Sequence, residues 1–207
     1  MVPLLNGVDI YARIREDMTQ GAVLPACVYI GTHIETYGQV TQQGGACKIL
    51  LGRDPQRAES GPEPLFELFA QSGIQYAWFD DVAPEIWAKY IFIAAFGLVT
   101  ASFDQTLGQV IESDPLRHYA FQVMGEIVAL ARKKRIDLPE TIIPDTFQKG
   151  RAFPYETKTS FQRDFERADK PDERDLYGGT ILRLGQQLGI ATPATLELWE
   201  ILNRRKP

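Results

Sequence analysis

The chain has 207 residues, of which 44% are hydrophobic, 11% aromatic and 24% charged, with a formal net charge of −5 and a pI near 5.2. These proportions provide a core and exclude wholesale disorder. The acidic balance argues against a nucleic-acid partner, which needs a basic face to neutralise phosphates.

Narrower features exclude more. The basic clusters "ARKKR" (Ala131 to Arg135) and the terminal "NRRKP" fit helix C-termini, where cations meet the negative end of the dipole. The run from Tyr90 to Phe103 carries no formal charge over 14 residues, short of the roughly 20 that cross a bilayer, so it reads as a buried helix and no membrane is expected. Cys27 and Cys47 lie far apart, and His33 and His118 are the only histidines, so no metal site is expected. With no positively charged leader ahead of the first apolar run, a reducing cytoplasm is the expected location.

In chain order, the first eighty residues read as strands and turns. "MVPLLNGV" is a short apolar run stopped by Asn6-Gly7, and "AVLPACVYIG" and "QVTQQGGACKILLG" are β-rich runs punctuated by glycine. "PLFELFAQSG" has helical periodicity with a stop at Gly73, and "IQYAWF" is one more strand. After "DDVAP" helix dominates. Pro84 suits a first helical turn behind Asp80 or Asp81 and opens "EIWAKYIFIAAFGLVTA". "PLRHYAFQVMGEIVALARKKR" places Leu116, Tyr119, Val123, Ile127 and Leu130 on one stripe of a second long helix. "DLPETIIPDTFQKGRAF" reads as a short helix and loop, and "TSFQRDFERAD" begins another helix. "ERDLYGGTILRLGQQLGI" is a glycine-bearing helix ended by Gly189, and "TPATLELWEILNRRK" starts at a Thr192 cap with Pro193 behind it. The expected fold is α+β: a β-rich domain over residues 1–80, then an all-α domain over residues 81–207.

Lys89 stands out in the apolar helix. Its stem can lie along apolar surface while the ammonium reaches water. Alternatively, a desolvated lysine beside a cleft is a good proton donor, held by a partner carboxylate. Ile93 and Gly97 follow at i+4 and i+8 on the same face, and the glycine leaves room for something to approach the helix.

Four stretches in order, "PLLNGV", "WAKYIFIAAFGLVTA", "TSFQRDFERADKPDERDLYGG" and "RLGQQLGIATP", resemble the landmarks of ketopantoate reductases (2-dehydropantoate 2-reductases) over nearly the whole chain. The resemblance implies a Rossmann domain for NADPH, a helical domain that closes on the substrate, and reduction of 2-ketopantoate to pantoate in coenzyme A biosynthesis. Carried over by position, Lys89 is the general acid. Glu173, with adjacent Asp172 as a substitute, contacts the cofactor ribose and orders the lysine. Asn6 lies near the nicotinamide, Ser160 meets the substrate carboxylate, and Cys27 falls near a backbone contact to the cofactor. Without the resemblance, Glu173 is an exposed first-turn carboxylate, Asn6 a turn residue and Ser160 an N-cap.

The match breaks in two places. Ile93, Gly97 and Leu107 stand where the family has asparagines, which points to a different, less polar 2-keto acid. No G-x-G-x-x-G opens a helix here, and the glycine pair of the β-rich part is Gly44-Gly45. The residues are therefore expected to form the distal part of a truncated nucleotide-binding domain plus a helical substrate domain, inactive or weak alone. Two rivals remain: a helical module retained for self-association as a homodimer through exposed strands, and the substrate domain of a hydroxyacid dehydrogenase of the 6-phosphogluconate type.

Overall fold

In a computed structural model the chain forms two compact units, Met1–Ile86 and Trp87–Pro207, with residues 1–42, 47–57, 62–167 and 172–205 described. The pair Gly44-Gly45 lies outside the described residues. The fold is α+β.

The first unit departs from the sequence reading at its start. "MVPLLNGV" forms no strand, because Pro3 lacks an N–H and Gly7 turns the backbone at φ 136°. Its first residue pairs with the segment ahead of β1: Leu24 N–H donates to the Met1 carbonyl at 3.0 Å. Helix α1 (Ile10–Asp17) follows, where strands and turns alone were expected. Its sequence, IYARIRED, buries just Ile10, so its apolar signal was too sparse to be read.

Strand β1 (Ala26–Tyr29) is followed by a hairpin of β2 (Thr32–Thr36) and β3 (Gln39–Gln42), which turns through Gly38 at φ 81°. Then come β4 (Lys48–Gly52), α2 (Glu63–Gln71) and β5 (Gln75–Phe79). The main sheet has the order β1–β4–β5, with β1 antiparallel to β4 and β4 parallel to β5. A parallel pair needs a crossover, and α2 supplies it, making β4–α2–β5 a βαβ unit. Alternation along the strands buries both faces. Ala26, Ile49 and Leu51 pack with Leu24 and Phe69 on one side, and Cys27 and Leu50 pack with Val82 on the other.

Asp54, 1% exposed just beyond β4, ties this unit together. It pairs with Arg15, accepts from the Tyr11 hydroxyl at 2.7 Å, and accepts from the Val23 and Gln56 N–H groups at 2.8 and 3.0 Å. Burial alone would raise the Asp54 pKa, but these hydrogen bonds and the Arg15 charge together hold it below the ordinary carboxyl value.

The second unit is helical. Helix α3 (Ala83–Phe103) is opened by Asp81, whose Oδ1 accepts from the Ala83 N–H at 2.9 Å. Residues Ala94 through Ser102 are buried without a break. Length and composition alone would let this helix cross a membrane, but most of it lies inside the fold, as a core helix does. A short α4 (Leu107–Glu112) starts with a reciprocal Thr106–Gln109 capping box, a signature the sequence reading passed over. Helices α5 (Asp114–Lys133), α6 (Ile142–Arg151) and α7 (Ser160–Phe165) follow. A π turn (Asp175–Gly179) then runs into α8 (Thr180–Leu188), which stops at left-handed Gly189, and α9 (Pro193–Arg205) ends the described chain.

Long-range caps join these helices. The buried Glu126 carboxylate of α5 accepts from the Ala194 and Thr195 N–H groups and the Thr195 hydroxyl, satisfying the start of α9. Arg205 donates to the Ala101 and Ser102 carbonyls, so the terminal basic cluster serves the C-terminus of α3 as well as that of its own helix.

Replacing Asp54 with Asn leaves Arg15 uncompensated and is expected to destabilise the first unit by about 3–5 kcal/mol in urea unfolding. Since the folded-state pKa of Asp54 lies below its unfolded value of 3.8, its contribution is fully present above that pH and is lost as pH falls through the lower folded value. An acid titration of the urea midpoint should be flatter for Asp54→Asn than for the wild type; equal slopes would refute the assignment.

Candidate functional site

Lys89 lies in the second turn of α3, between buried Trp87 and buried Tyr90, and is itself partly buried. The residues around it explain how a lysine is tolerated in this helix. Burial is continuous only from Ala94 onward, whereas Ala88, Lys89, Phe92 and Ile93 are each partly exposed. The lysine therefore sits where the helix still has an open side.

That side leads to a defined wall. Gly97, two turns beyond Lys89 and about 12 Å along the axis at 1.5 Å per residue, faces Phe161 of α7 and Tyr177 of the π turn. A Cβ placed on Gly97 would lie 3.5 Å from the Phe161 Cβ and Cδ1 and 3.8 Å from the Tyr177 Cε2. Phe161 and Tyr177 meet edge to face at 5.1 Å, and Tyr177 stands 6.3 Å from the Tyr90 ring. One turn further on, the Thr100 hydroxyl contacts the Thr159 hydroxyl at 2.9 Å.

Glu173 joins this wall through Tyr177, whose hydroxyl donates to Glu173 Oε2 at 2.9 Å. It is partly buried, not the exposed first-turn carboxylate that position alone suggested. Neighbouring Asp172 is otherwise engaged: its Oδ1 and Oδ2 accept from Arg174 Nε and Nη2, both at 3.0 Å, and Arg174 reaches Asn203 of α9 at 2.8 Å. Asp172 thus fixes the start of the helix, and Glu173 is left as the carboxylate on the wall.

Ser160 is exposed at the first position of α7 and is not the cap; Thr159 is, accepting from the Gln162 N–H at 3.2 Å. That contact places the start of α7 beside Thr100, about 16 Å along α3 from Lys89, so Ser160 and Lys89 do not share a turn. Leu107 is 2% exposed and belongs to the core of α4.

Two of the sites read from the sequence lie in the first unit. Asn6 is partly buried just ahead of Gly7. Cys27 is 3% exposed and enclosed by Leu50 and Val82, so its thiol is closed to a ligand. Among the described residues no group of three or more His, Cys, Asp or Glu is placed to hold a metal ion. Tyr90, Phe161 and Tyr177 escaped the sequence reading. The spacing of Glu173 and Tyr177 at i and i+4 was the one local signal, and the contacts with α3 are long-range.

The chain thus has a first unit built on a small sheet and a second, helical unit. Residues 81–206 match the family described as "Ketopantoate reductase PanE/ApbA C terminal", and the chain belongs to it. A 2-dehydropantoate 2-reductase of Pyrobaculum aerophilum is 25% identical over 201 residues, covering 97% of this chain and 67% of the relative. The crystal structure of a PanE/ApbA family ketopantoate reductase from Ralstonia eutropha JMP134 superposes with a TM-score of 0.87 at 25% identity, covering 99% of this chain and 66% of that one. A D-mandelate dehydrogenase in complex with NADH shares the fold at TM-score 0.85 and 18% identity, covering 99% of this chain and 69% of that one. The chain thus spans about two thirds of the length of these relatives.

Because a Cβ at position 97 has ordinary contact distances and alanine favours helix, Gly97→Ala should change stability by less than about 1 kcal/mol. Gly97→Asn must push a polar group between Phe161 and Tyr177, and a loss of about 1–3 kcal/mol is expected in thermal unfolding. An asparagine variant as stable as the alanine variant would show that the wall yields freely.

Proposed function

We propose that these residues are the distal nucleotide-binding segment and the substrate domain of an oxidoreductase that reduces a 2-keto acid to the 2-hydroxy acid, with Lys89 as general acid. The observation that supports this reading is that partly buried Lys89 adjoins Tyr90, whose ring and hydroxyl meet the turn carrying Tyr177, the donor to Glu173. A reduced nicotinamide supplies a hydride when bound. The chain's own contribution is to the oxygen: the Lys89 ammonium stabilises negative charge developing there and gives it a proton, becoming a neutral amine that solvent reprotonates.

Asn6, the backbone at Cys27 and Glu173 are the residues that would hold the nicotinamide and ribose of the cofactor. Asn6 is accessible enough for this, whereas no glycine-rich phosphate loop occurs among the 207 residues. NADPH is the cofactor expected from the family resemblance; NADH, which the mandelate enzyme binds, is the alternative to assay beside it. The resemblance makes Ser160 the candidate for the substrate carboxylate, but in a 2-keto acid that group adjoins the ketone, and the start of α7 lies about 16 Å along α3 from Lys89, which argues against one substrate meeting both residues.

For the substrate we favour a 2-keto acid less polar than ketopantoate, the acid reduced on the way to pantothenate and coenzyme A. The three positions where the family has asparagines are here partly exposed Ile93, buried Gly97 and buried Leu107. Hydroxyl recognition needs hydrogen-bonding side chains, and these have none.

In the full-length enzyme, Lys89→Ala is expected to lower turnover by two or more orders of magnitude, while the Kd of the reduced nicotinamide barely changes. Undiminished turnover would sink the acid role. In a panel of 2-keto acids, those with apolar substituents should give the higher kcat/KM; a clear preference for ketopantoate would overturn the substrate reading.

A further inference from the structure

We propose that Tyr177 is the positioning residue for Glu173, and that the π turn carrying it is clamped in place by Tyr90 from the helix that bears Lys89. The inference rests on the proposed role of Glu173 and says how the fold holds that carboxylate.

Three observations converge. First, Tyr177 is 0% exposed, with its ring fixed between Phe161 and Tyr90 and against the bare backbone at Gly97. Its hydroxyl therefore has little freedom, and it is spent on Glu173 Oε2 at 2.9 Å.

Second, the backbone beneath Tyr177 is a π turn. Widening a helix from i+4 to i+5 bonding displaces carbonyls from their usual donors, and such turns survive where something else satisfies them. Here the Tyr90 hydroxyl lies 2.9 Å from the Leu176 carbonyl and 2.8 Å from the Tyr177 carbonyl, so its single proton is shared between them. A local distortion is thereby held by a buried group from 86 residues away in the chain.

Third, the donor is the residue next to Lys89. A shift of α3 would move Lys89 and Tyr90 together, and through the π turn it would carry Tyr177 and Glu173. The helix that bears Lys89 is thus linked through Tyr90 to the turn whose tyrosine holds the carboxylate.

The test is a double-substitution cycle in the full-length enzyme, reading kcat/KM for a 2-keto acid with a reduced nicotinamide. Tyr177→Phe keeps the ring and removes only the hydroxyl. It is expected to lower kcat/KM about tenfold in the wild-type background and to have no effect once Glu173 is Ala, because the group it positions is then gone. Equal losses in both backgrounds would overturn the inference, since a merely structural tyrosine damages both alike. If Tyr177→Phe does not fold, Tyr90→Phe serves in its place, with the same Glu173-dependent loss expected and equal losses again fatal. If Glu173→Ala alone leaves kcat/KM unchanged, the role of Glu173 fails and the positioning role falls with it. A Glu173→Ala loss with background-independent tyrosine effects removes only the present inference.

Discussion

A helix that is apolar on every side must be surrounded, and the second unit is organised around that requirement in α3. From Ala94 to Ser102 the helix has no exposed residue, so nothing on it can be satisfied by water. Its ends and its few polar atoms are met by distant groups instead. Arg205 takes the last carbonyls, Thr159 meets the Thr100 hydroxyl, and the Ser102 hydroxyl reaches the Leu198 carbonyl. Each of these contacts draws another helix onto α3. Lys89 escapes because it lies before the enclosed stretch begins. The same gradient of burial that makes α3 a core helix thus leaves an open side at one end, and an amphipathic cation can occupy it.

Periodicity made much of this legible. The long apolar run, the α5 stripe and the glycine stops at Gly73 and Gly189 announce elements that do form, because each is a local pattern many residues long or a single residue with a forced backbone angle. The unread elements are short or weakly apolar. Helix α1 owes its position to Asp54, 39 residues beyond Arg15, and no window of sequence displays that pairing. The Thr106–Gln109 box that starts α4 was visible as T-x-x-Q, yet it was overshadowed by the strong helices on either side. At "MVPLLNGV" apolar content suggested a strand; Pro3 and Gly7 decided otherwise, since a strand needs ladder donors as well as apolar side chains.

The candidate site divides along the same line. Lys89, Glu173, Asn6, Ser160 and Cys27 could each be named only through the resemblance of their motifs to the family's. Their surroundings could not. That Asp172 is consumed by Arg174 and that the cap of α7 is Thr159 are outcomes of competition between adjacent residues for one backbone position. A sequence shows both competitors and not the winner. The aromatic wall is further still from view, because Tyr90, Phe161 and Tyr177 come from three separate segments.

The substitutions at Ile93, Gly97 and Leu107 gain a physical meaning from that wall. Read alone, a glycine in place of an asparagine is a missing side chain. In the fold, the room in front of Gly97 is already filled by Phe161 and Tyr177, so the backbone is bare because two rings lie against it. Leu107 likewise is a core residue of α4, enclosed to 2% exposure. Gly97 and Leu107 are thus packing positions in this fold, filled by neighbouring rings and by the core of α4. The Tyr177 hydroxyl at the wall donates to Glu173.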